Sequence, residues 1–200
     1  MDTSSRPIRL VAIVSGLFVA LLISWSSITY TIPSGHAGLV FRTFSDGINP
    51  DEAPVGQGFH FKAPWDRIAV YEVRQKEVQQ TLDVLSSNLL KIQLDMTVFH
   101  EPVRTALGSL EIERGRDYED AVIIPSMRAV SREVFAKYLP EEINTSKREQ
   151  IQIEIKDRLR EKLSSNFIQL NDVLIRNIRL PKTLEQAIEL NGVAVEFNKQ

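Results

Sequence analysis

The stretch Leu10–Ile32, LVAIVSGLFVALLISWSSITYTI, constrains this chain more than any other: its 23 residues carry no charge, whereas charges recur throughout the 168 that follow. As an α-helix it would measure roughly 34 Å at about 1.5 Å per residue, enough to cross a hydrocarbon core of about 30 Å. A helix can cross lipid as a single segment because its backbone N–H and C=O groups pair internally. On this reading Leu10, Val11, Ile13, Val14, Leu17, Phe18, Val19, Leu21, Leu22, Ile23 and Trp25 form a membrane anchor. Trp25 and Tyr30 fall in its more polar second half, where amphipathic rings suit the water–lipid interface. A cleavable signal peptide is the competing reading: Arg6 and Arg9, the apolar run to Ile23 and the small Ser24 and Ser26 supply its three regions. Two cations precede the segment, and only Arg42 follows it closely. That asymmetry leans the N-terminal tail, residues 1–9, to the cytoplasmic or matrix-like side and the main domain to the opposite side.

Residues 33–200 are long enough for one or two domains with a real core. Removing Arg6, Arg9 and Asp2 from the totals of 24 basic and 26 acidic residues leaves 22 and 25, a net charge of −3. That near-balance argues against a nucleic-acid platform, which needs a basic face. The chain has no cysteine, so thiol catalysis, disulfides and cysteine-ligated metals are excluded.

The first part of this region reads as β-rich. His36–Phe44 is rich in strand formers and ends at the turn signals Asp46-Gly47 and Asn49-Pro50. Arg67–Arg74 and Val78–Leu85 read as further strands, the latter turning at Ser86-Ser87-Asn88. Leu90, Ile92, Leu94, Met96 and Val98 alternate with Lys91, Gln93, Asp95 and Thr97, the pattern of a half-buried antiparallel strand. Between the first two strands, Gly56–Trp65 contains two glycines and a proline and suggests irregular backbone. Phe59, Phe61 and Trp65 in it are candidate membrane or subunit contacts; the simpler reading is a structural corner with these rings in the core.

From Val103 the period becomes helical. A short helix over Val103–Glu113 ends at Gly115, and a second begins at Asp117, with Pro125 kinking or restarting it. Met127, Val130, Val134 and Tyr138 follow at helical spacing. Ser146-Lys-Arg-Glu149 matches a capping box, and behind it Ile151, Ile155, Leu159, Leu163 and Phe167 form one ridge. Glu154 and Arg158 are spaced for an i,i+4 pair on an outer face. Val173, Ile175 and Ile178 mark a strand within Leu170–Leu180, and Pro181 opens a last helix. Strands, then helices, then a returning strand suggest an α+β fold with helices on one side of a mixed sheet.

Chemistry-bearing motifs are absent. His36, His60 and His100 are scattered without metal-ligand spacing, and there is no P-loop, no GxGxxG after a strand and no GxSxG elbow. The acidic run Glu111, Glu113, Asp117, Glu119 and Asp120, interrupted by Arg114 and Arg116, reads as a solvated helix start. Ser126, after a proline at a helix beginning, reads as a turn residue rather than a nucleophile. No catalytic residue, cofactor or metal is expected, and the chain reads as a non-enzyme.

The order Pro33-Ser-Gly-His-Ala-Gly38, Gly56-Gln-Gly-Phe-His-Phe-Lys-Ala-Pro-Trp65, Val73-Arg74, Gly115-Arg-Asp-Tyr-Glu119, Ile124-Pro-Ser126 and Asp172-Val173 resembles the prohibitins. Prohibitins belong to the wider SPFH or band 7 group with stomatins and flotillins. The likeness runs from about Pro33 to Ile188 and favours a retained anchor. It implies an SPFH domain over residues 33–180, followed by the start of a C-terminal helix over 181–200. It further implies a non-catalytic scaffold that partners the bilayer and itself or homologous subunits in rings or cages, and that regulates membrane ATP-dependent proteases. A tethered adaptor acting as a monomer or small oligomer is the alternative. Two departures stand out. The long charged helix that follows the domain in the family would be missing or truncated here, and Gln57 stands where prohibitins usually carry glutamate.

Overall fold

The computed structural model describes residues 14–16, 27–143 and 147–179. Among these residues seven strands and their helices form a mixed α+β architecture in two compact units, one within Met1–Val73 and one within Arg74–Gln200.

In the first unit, β1 (Thr29–Ile32) pairs antiparallel with β3 (Gly58–Phe61), and β2 (His36–Phe41) with β4 (Arg67–Glu72). Two sequence expectations change here. The last four residues of the apolar segment are strand, not helix: Thr29, Tyr30, Thr31 and Ile32 are β-branched or aromatic, and their backbone pairs across to Phe61, His60, Phe59 and Gly58. The stretch Gly58–Phe61 is likewise an ordered strand rather than irregular backbone, because β1 offers it an edge. Gly35, at φ +79°, turns the chain from β1 into β2, with the His36 N–H donating to the Pro33 carbonyl at 3.2 Å.

The buried side of the β2–β4 pair is Ala37, Leu39, Ala69 and Tyr71, which face one another in register. Gly38 lies between Val70 and Val55, and exchanges backbone hydrogen bonds with Val55 at 2.9 and 2.8 Å. A Cβ placed at Gly38 would stand 2.6 Å from Ile32 Cδ1 and 3.2 Å from Ile68 Cγ2. The missing side chain is therefore the space that Ile32 occupies.

The second unit is built on the sheet order β5 (Lys76–Leu85), β6 (Lys91–Pro102) and β7 (Ile168–Arg179), all antiparallel. Ile92, Leu94, Met96 and Val98 are buried, as their alternation requires. The β5–β6 turn is held by Ser86: its backbone N–H donates to Leu90 O at 3.0 Å, and its Oγ donates to Asn88 Oδ1 at 2.6 Å. The β6–β7 ladder shifts register twice, between Asp95 and Met96 and between Phe99 and His100, leaving Arg176 and Asn171 of β7 unpaired as bulges.

A 3₁₀ turn (Arg104–Ala106) leads into α1 (Leu107–Glu113), which stops where Gly115 takes φ +75° and donates to Leu110 O and Glu111 O. A π turn (Glu119–Ile123) then runs into α2 (Ile124–Phe135). The Ile124 N–H reaches Glu119 O, five residues back, and Pro125 adds no donor at the first turn of α2. Met127, Val130 and Val134 point inward, but α2 ends at Phe135, so Tyr138 lies beyond it. After the short α3 (Pro140–Ile143), α4 (Arg148–Ser164) buries Ile151, Ile155, Leu159 and Leu163. Phe167 drops out of that ridge: the helix has ended and its φ is +62°. The N-cap of α4 is Lys147 without a side-chain cap bond, one residue later than the capping box implies; Ser146 is outside the described residues. The helix proposed from Pro181 also lies outside them.

The pair Glu154–Arg158 forms at 3.0 Å and belongs to a larger network. Glu154 also accepts from Lys137 Nζ at 2.7 Å and from Tyr138 Oη at 3.0 Å, and Arg158 donates to Glu133 of α2. The hydrogen bond from Lys137, helped by Tyr138 and Arg158, holds the Glu154 carboxyl below its usual range.

His100 is fully buried on β6, with both ring nitrogens unpartnered; Glu119 Oε1 is 3.8 Å from Nε2, and Tyr118 stands edge-on at 5.8 Å. Burial holds its pKa below the ordinary 6.5; Glu119 opposes the shift and Lys76 adds to it. The folded state thus keeps the ring neutral while the unfolded chain takes up a proton near pH 6.5. Stability is full above that pH and falls as pH drops from there toward the folded pKa. We expect His100→Leu to remove this component of the pH dependence and to gain about 1 kcal/mol by deleting a buried unpartnered group, measured by urea unfolding at pH 7.5 and 5.5. Gly38→Val should destabilise the first unit by about 1–3 kcal/mol through overpacking, seen as faster amide exchange in β1 and β2.

Candidate functional site

The chemistry-bearing residues do not converge. His36 lies in β2 with Nδ1 3.2 Å from Ser34 O, His60 lies in β3, and His100 is in the second unit. Among the described residues no three His, Asp or Glu side chains are grouped to hold a metal ion. The acidic run is engaged in ion pairs: Glu119 with Lys76 at 3.1 Å, and Glu111 with Arg116 at 3.8 Å. Ser126 is buried at the start of α2.

What the first unit does present is aromatic surface. In β3, Phe59 and Phe61 are two residues apart and so share a face of the strand. They are 57 % and 66 % exposed, with their rings edge-on at 5.2 Å. Trp65 is 54 % exposed and meets Phe44, 81 % exposed, edge-on at 5.7 Å. The corner reading, with these rings in the core, is therefore corrected: among the described residues β3 pairs only with β1, and the rings stay exposed. Sequence reasoning missed Phe44, which it placed at the end of a strand. The strand ends at Phe41, and Phe44 reaches Trp65 because Thr43 is pinned across the gap. Thr43 Oγ1 donates to Trp65 O, and the Thr43 N–H donates to Asp66 Oδ1 at 3.2 Å.

The polar residues of the same stretch support this display. His60, opposite Tyr30, donates from Nε2 to Gly56 O at 2.9 Å, and its ring lies 5.5 Å from that of Tyr30. Lys62 turns inward. Its ammonium donates to Ser27 O at 2.9 Å, Asp66 O at 2.9 Å and Ala63 O at 3.3 Å, while its N–H donates to Ile28 O at 2.7 Å. Ser27 and Ile28 are helical and Thr29 begins β1, so Lys62 sits where the apolar segment passes from helix to strand.

Of the anchor residues, Val14 is described, helical and exposed; Leu10, Val11, Ile13, Leu17, Phe18, Val19, Leu21, Leu22, Ile23 and Trp25 lie outside the described residues. Among the described residues no helix is long and apolar enough to cross a membrane.

Replacing Lys62 by Met should leave these carbonyls without their charged donor and cost about 1–3 kcal/mol. The readout is hydrogen exchange, expected to accelerate in residues 27–32 and 58–61 while β6 stays protected.

Residues 30–196 match the family model described as SPFH domain / Band 7 family. Similar proteins include "Prohibitin-7, mitochondrial" of Arabidopsis thaliana, 28 % identical over 84 % of this chain and 59 % of that protein. "Prohibitin 1" of Mus musculus is 24 % identical over 84 % of this chain and 61 % of its own length. "Prohibitin-1" of Colletotrichum higginsianum is 28 % identical over 92 % of this chain and 64 % of its own length. The chain thus spans about three fifths of the length of these relatives. With the α+β fold and the ordered motifs from Pro33 to Val173 in place, the chain belongs to the SPFH domain / Band 7 family and is prohibitin-like.

Proposed function

We propose that this protein is a non-catalytic membrane scaffold. It is tethered by the apolar segment beginning at Leu10, with its SPFH domain lying against the bilayer and contacting neighbouring subunits side by side. The observation that carries the reading is the set of exposed rings Phe44, Phe59, Phe61 and Trp65, in the unit that also holds the end of the apolar segment as β1. β1, the last four residues of that segment, pairs with the strand that bears Phe59 and Phe61, which keeps these rings near any membrane the segment enters. Aromatic side chains are well suited to that depth, where one part of the ring is apolar and the other wet.

In this reading the short tail stays on the cytoplasmic or matrix-like side and the domain on the other. Its partners are lipid and copies of itself or homologous subunits, in rings or cages that confine a patch of bilayer. Regulation of a membrane ATP-dependent protease would follow from enclosing it. The assembly is geometric: weak lateral contacts between tethered subunits gain from high effective concentration in two dimensions.

The test removes the rings and keeps the fold. Phe59→Ser, Phe61→Ser and Trp65→Ser replace exposed side chains, so together they should shift stability little, by about 0.5 kcal/mol each at most. In the full chain reconstituted into nanodiscs, the wild-type Trp65 region should be shielded from aqueous quenchers and the Phe59→Ser/Phe61→Ser variant should lose that shielding. Equal quencher access in both would sink the membrane-contact reading. Native mass after gentle extraction tests the scaffold itself: a large particle supports it, and a species near 22.7 kDa plus detergent leaves the tethered adaptor.

A further inference from the structure

The two edges of the β5–β6–β7 sheet are treated differently. Along β7 the outer carbonyls are occupied by side chains of α4. Arg148 Nη2 donates to Ile175 O at 2.9 Å and to Arg176 O at 3.2 Å, and Gln152 Nε2 donates to Val173 O at 3.0 Å. Two bulges further disrupt that strand. An edge so covered and kinked is a poor template for another strand.

β5 has none of these protections. It runs ten residues, pairs with β6 without a register shift, contains no proline, and has no strand on its other side among the described residues. Beside its second half runs α2, and the groove between them is lined by Thr81, Leu82 and Asp83 on one side and Arg128 and Arg132 on the other. Toward the end of β5 the groove widens into a cavity of about 420 Å³, with Asp83, Val84, Leu85, Lys91, Arg132 and Ala136 at its walls. Leu85 is half exposed there.

Charge decides what fits. Asp83 is already paired to Lys91 at 3.1 Å. The guanidinium groups of Arg128 and Arg132 make no ion pair or side-chain hydrogen bond with any described residue, unlike Arg148 and Arg158 on the neighbouring helix. Two guanidinium groups beside an edge of β5 that pairs with no strand among the described residues favour a carboxylate-bearing strand.

We propose that the open edge of β5, together with the Arg128–Arg132 face of α2, docks an extended acidic segment of a partner protein. The segment adds to the sheet as a fourth strand beyond β5, sets carboxylates opposite Arg128 and Arg132, and seats a bulky apolar side chain between Val84, Leu85 and Ala136. Main-chain hydrogen bonds supply adhesion, and the arginines and the cavity supply selection. The site is independent of the aromatic surface of the first unit, so a domain held at the membrane by that surface would use a different one to recruit a protein.

The experiment uses the full chain in nanodiscs and a dye-labelled octapeptide, Thr-Glu-Val-Glu-Val-Asp-Val-Leu, read by fluorescence anisotropy. Saturable binding is expected, with at least tenfold weaker binding for the counterpart carrying Lys in place of its acids. R128E/R132E, at exposed positions, should weaken the acidic peptide at least tenfold at an unchanged unfolding midpoint. Two further peptides are N-methylated at alternate residues, one on each edge of the extended chain. Strand addition uses one edge, so one of them should fail and the other bind as the parent does. This arm leaves the protein unaltered and is free of any folding defect. Binding of both N-methylated forms at full strength, or equal binding of the acidic and basic peptides, would overturn the proposal. The chain has no cysteine, so Thr81→Cys carries a single thiol. A disulfide-linked dimer of this variant that the peptide does not suppress would give the edge to a second copy and likewise overturn it.

Discussion

Pairing on both sides of β6 is the interaction on which the larger unit depends. Ile92, Leu94, Met96 and Val98 put one face of this strand in the core, and its backbone has a neighbour along each edge. One neighbour, β5, is local and reached by the tight Ser86 turn. The other, β7, lies far along the chain, with Val173 opposite Val98 and Ile168 opposite Pro102. Everything between the two strands, from α1 to α4, is a crossover that must fold onto the sheet for that pairing to form. The ridge Ile151, Ile155, Leu159 and Leu163 gives α4 its reason to do so, and the Glu154 network with Lys137, Tyr138 and Arg158 fixes α4 to the end of α2. Hydrophobic burial drives the docking; the ion pairs are partly exposed and contribute position more than energy.

The smaller unit works under a different constraint. It has two separate two-stranded pairs rather than one continuous sheet. Such pairs are marginal in water by themselves, and close packing around Gly38 and the carbonyl bonds of Lys62 compensate in part. With so little second layer, Phe59, Phe61, Trp65 and Phe44 remain outside. In the proposed scaffold this is consistent, since a bilayer would cover what the protein does not. The larger unit buries Tyr118 and Phe135 and leaves Phe99, Tyr138 and Phe167 half-buried.

Much of this was legible in the residues. The period-two pattern ending at Val98, the four-residue ridge of α4, the stop at Gly115 and the restart at Pro125 all describe local physics: side-chain alternation, one buried helical face, a left-handed cap and a missing N–H. Where local reading failed, a distant partner was responsible. Gly56–Trp65 contains turn residues, yet four of its positions become β3 because Thr29–Ile32 offers an edge. The uncharged segment reads as one helix to Ile32, yet its last four residues form β1 for the same reason. Phe44 could not be connected to Trp65 from sequence, since their meeting depends on bonds from Thr43 across more than twenty positions.

The sequence by itself determined an α+β chain without cysteine or any catalytic motif, a long uncharged segment near its start, and a family resemblance carried by the order of its motifs. The fold class and the missing chemistry follow from composition and short-range periodicity, which are properties of neighbouring residues; the family resemblance rests on the order of the motifs. Only the tertiary structure decided which aromatic rings stay outside, which edge of the sheet is closed by Arg148 and Gln152 and which stays open, and that His100 is sealed away from any hydrogen-bond partner. Exposure and edge protection depend on what the rest of the chain brings alongside, and in this protein those neighbours arrive from tens of residues away.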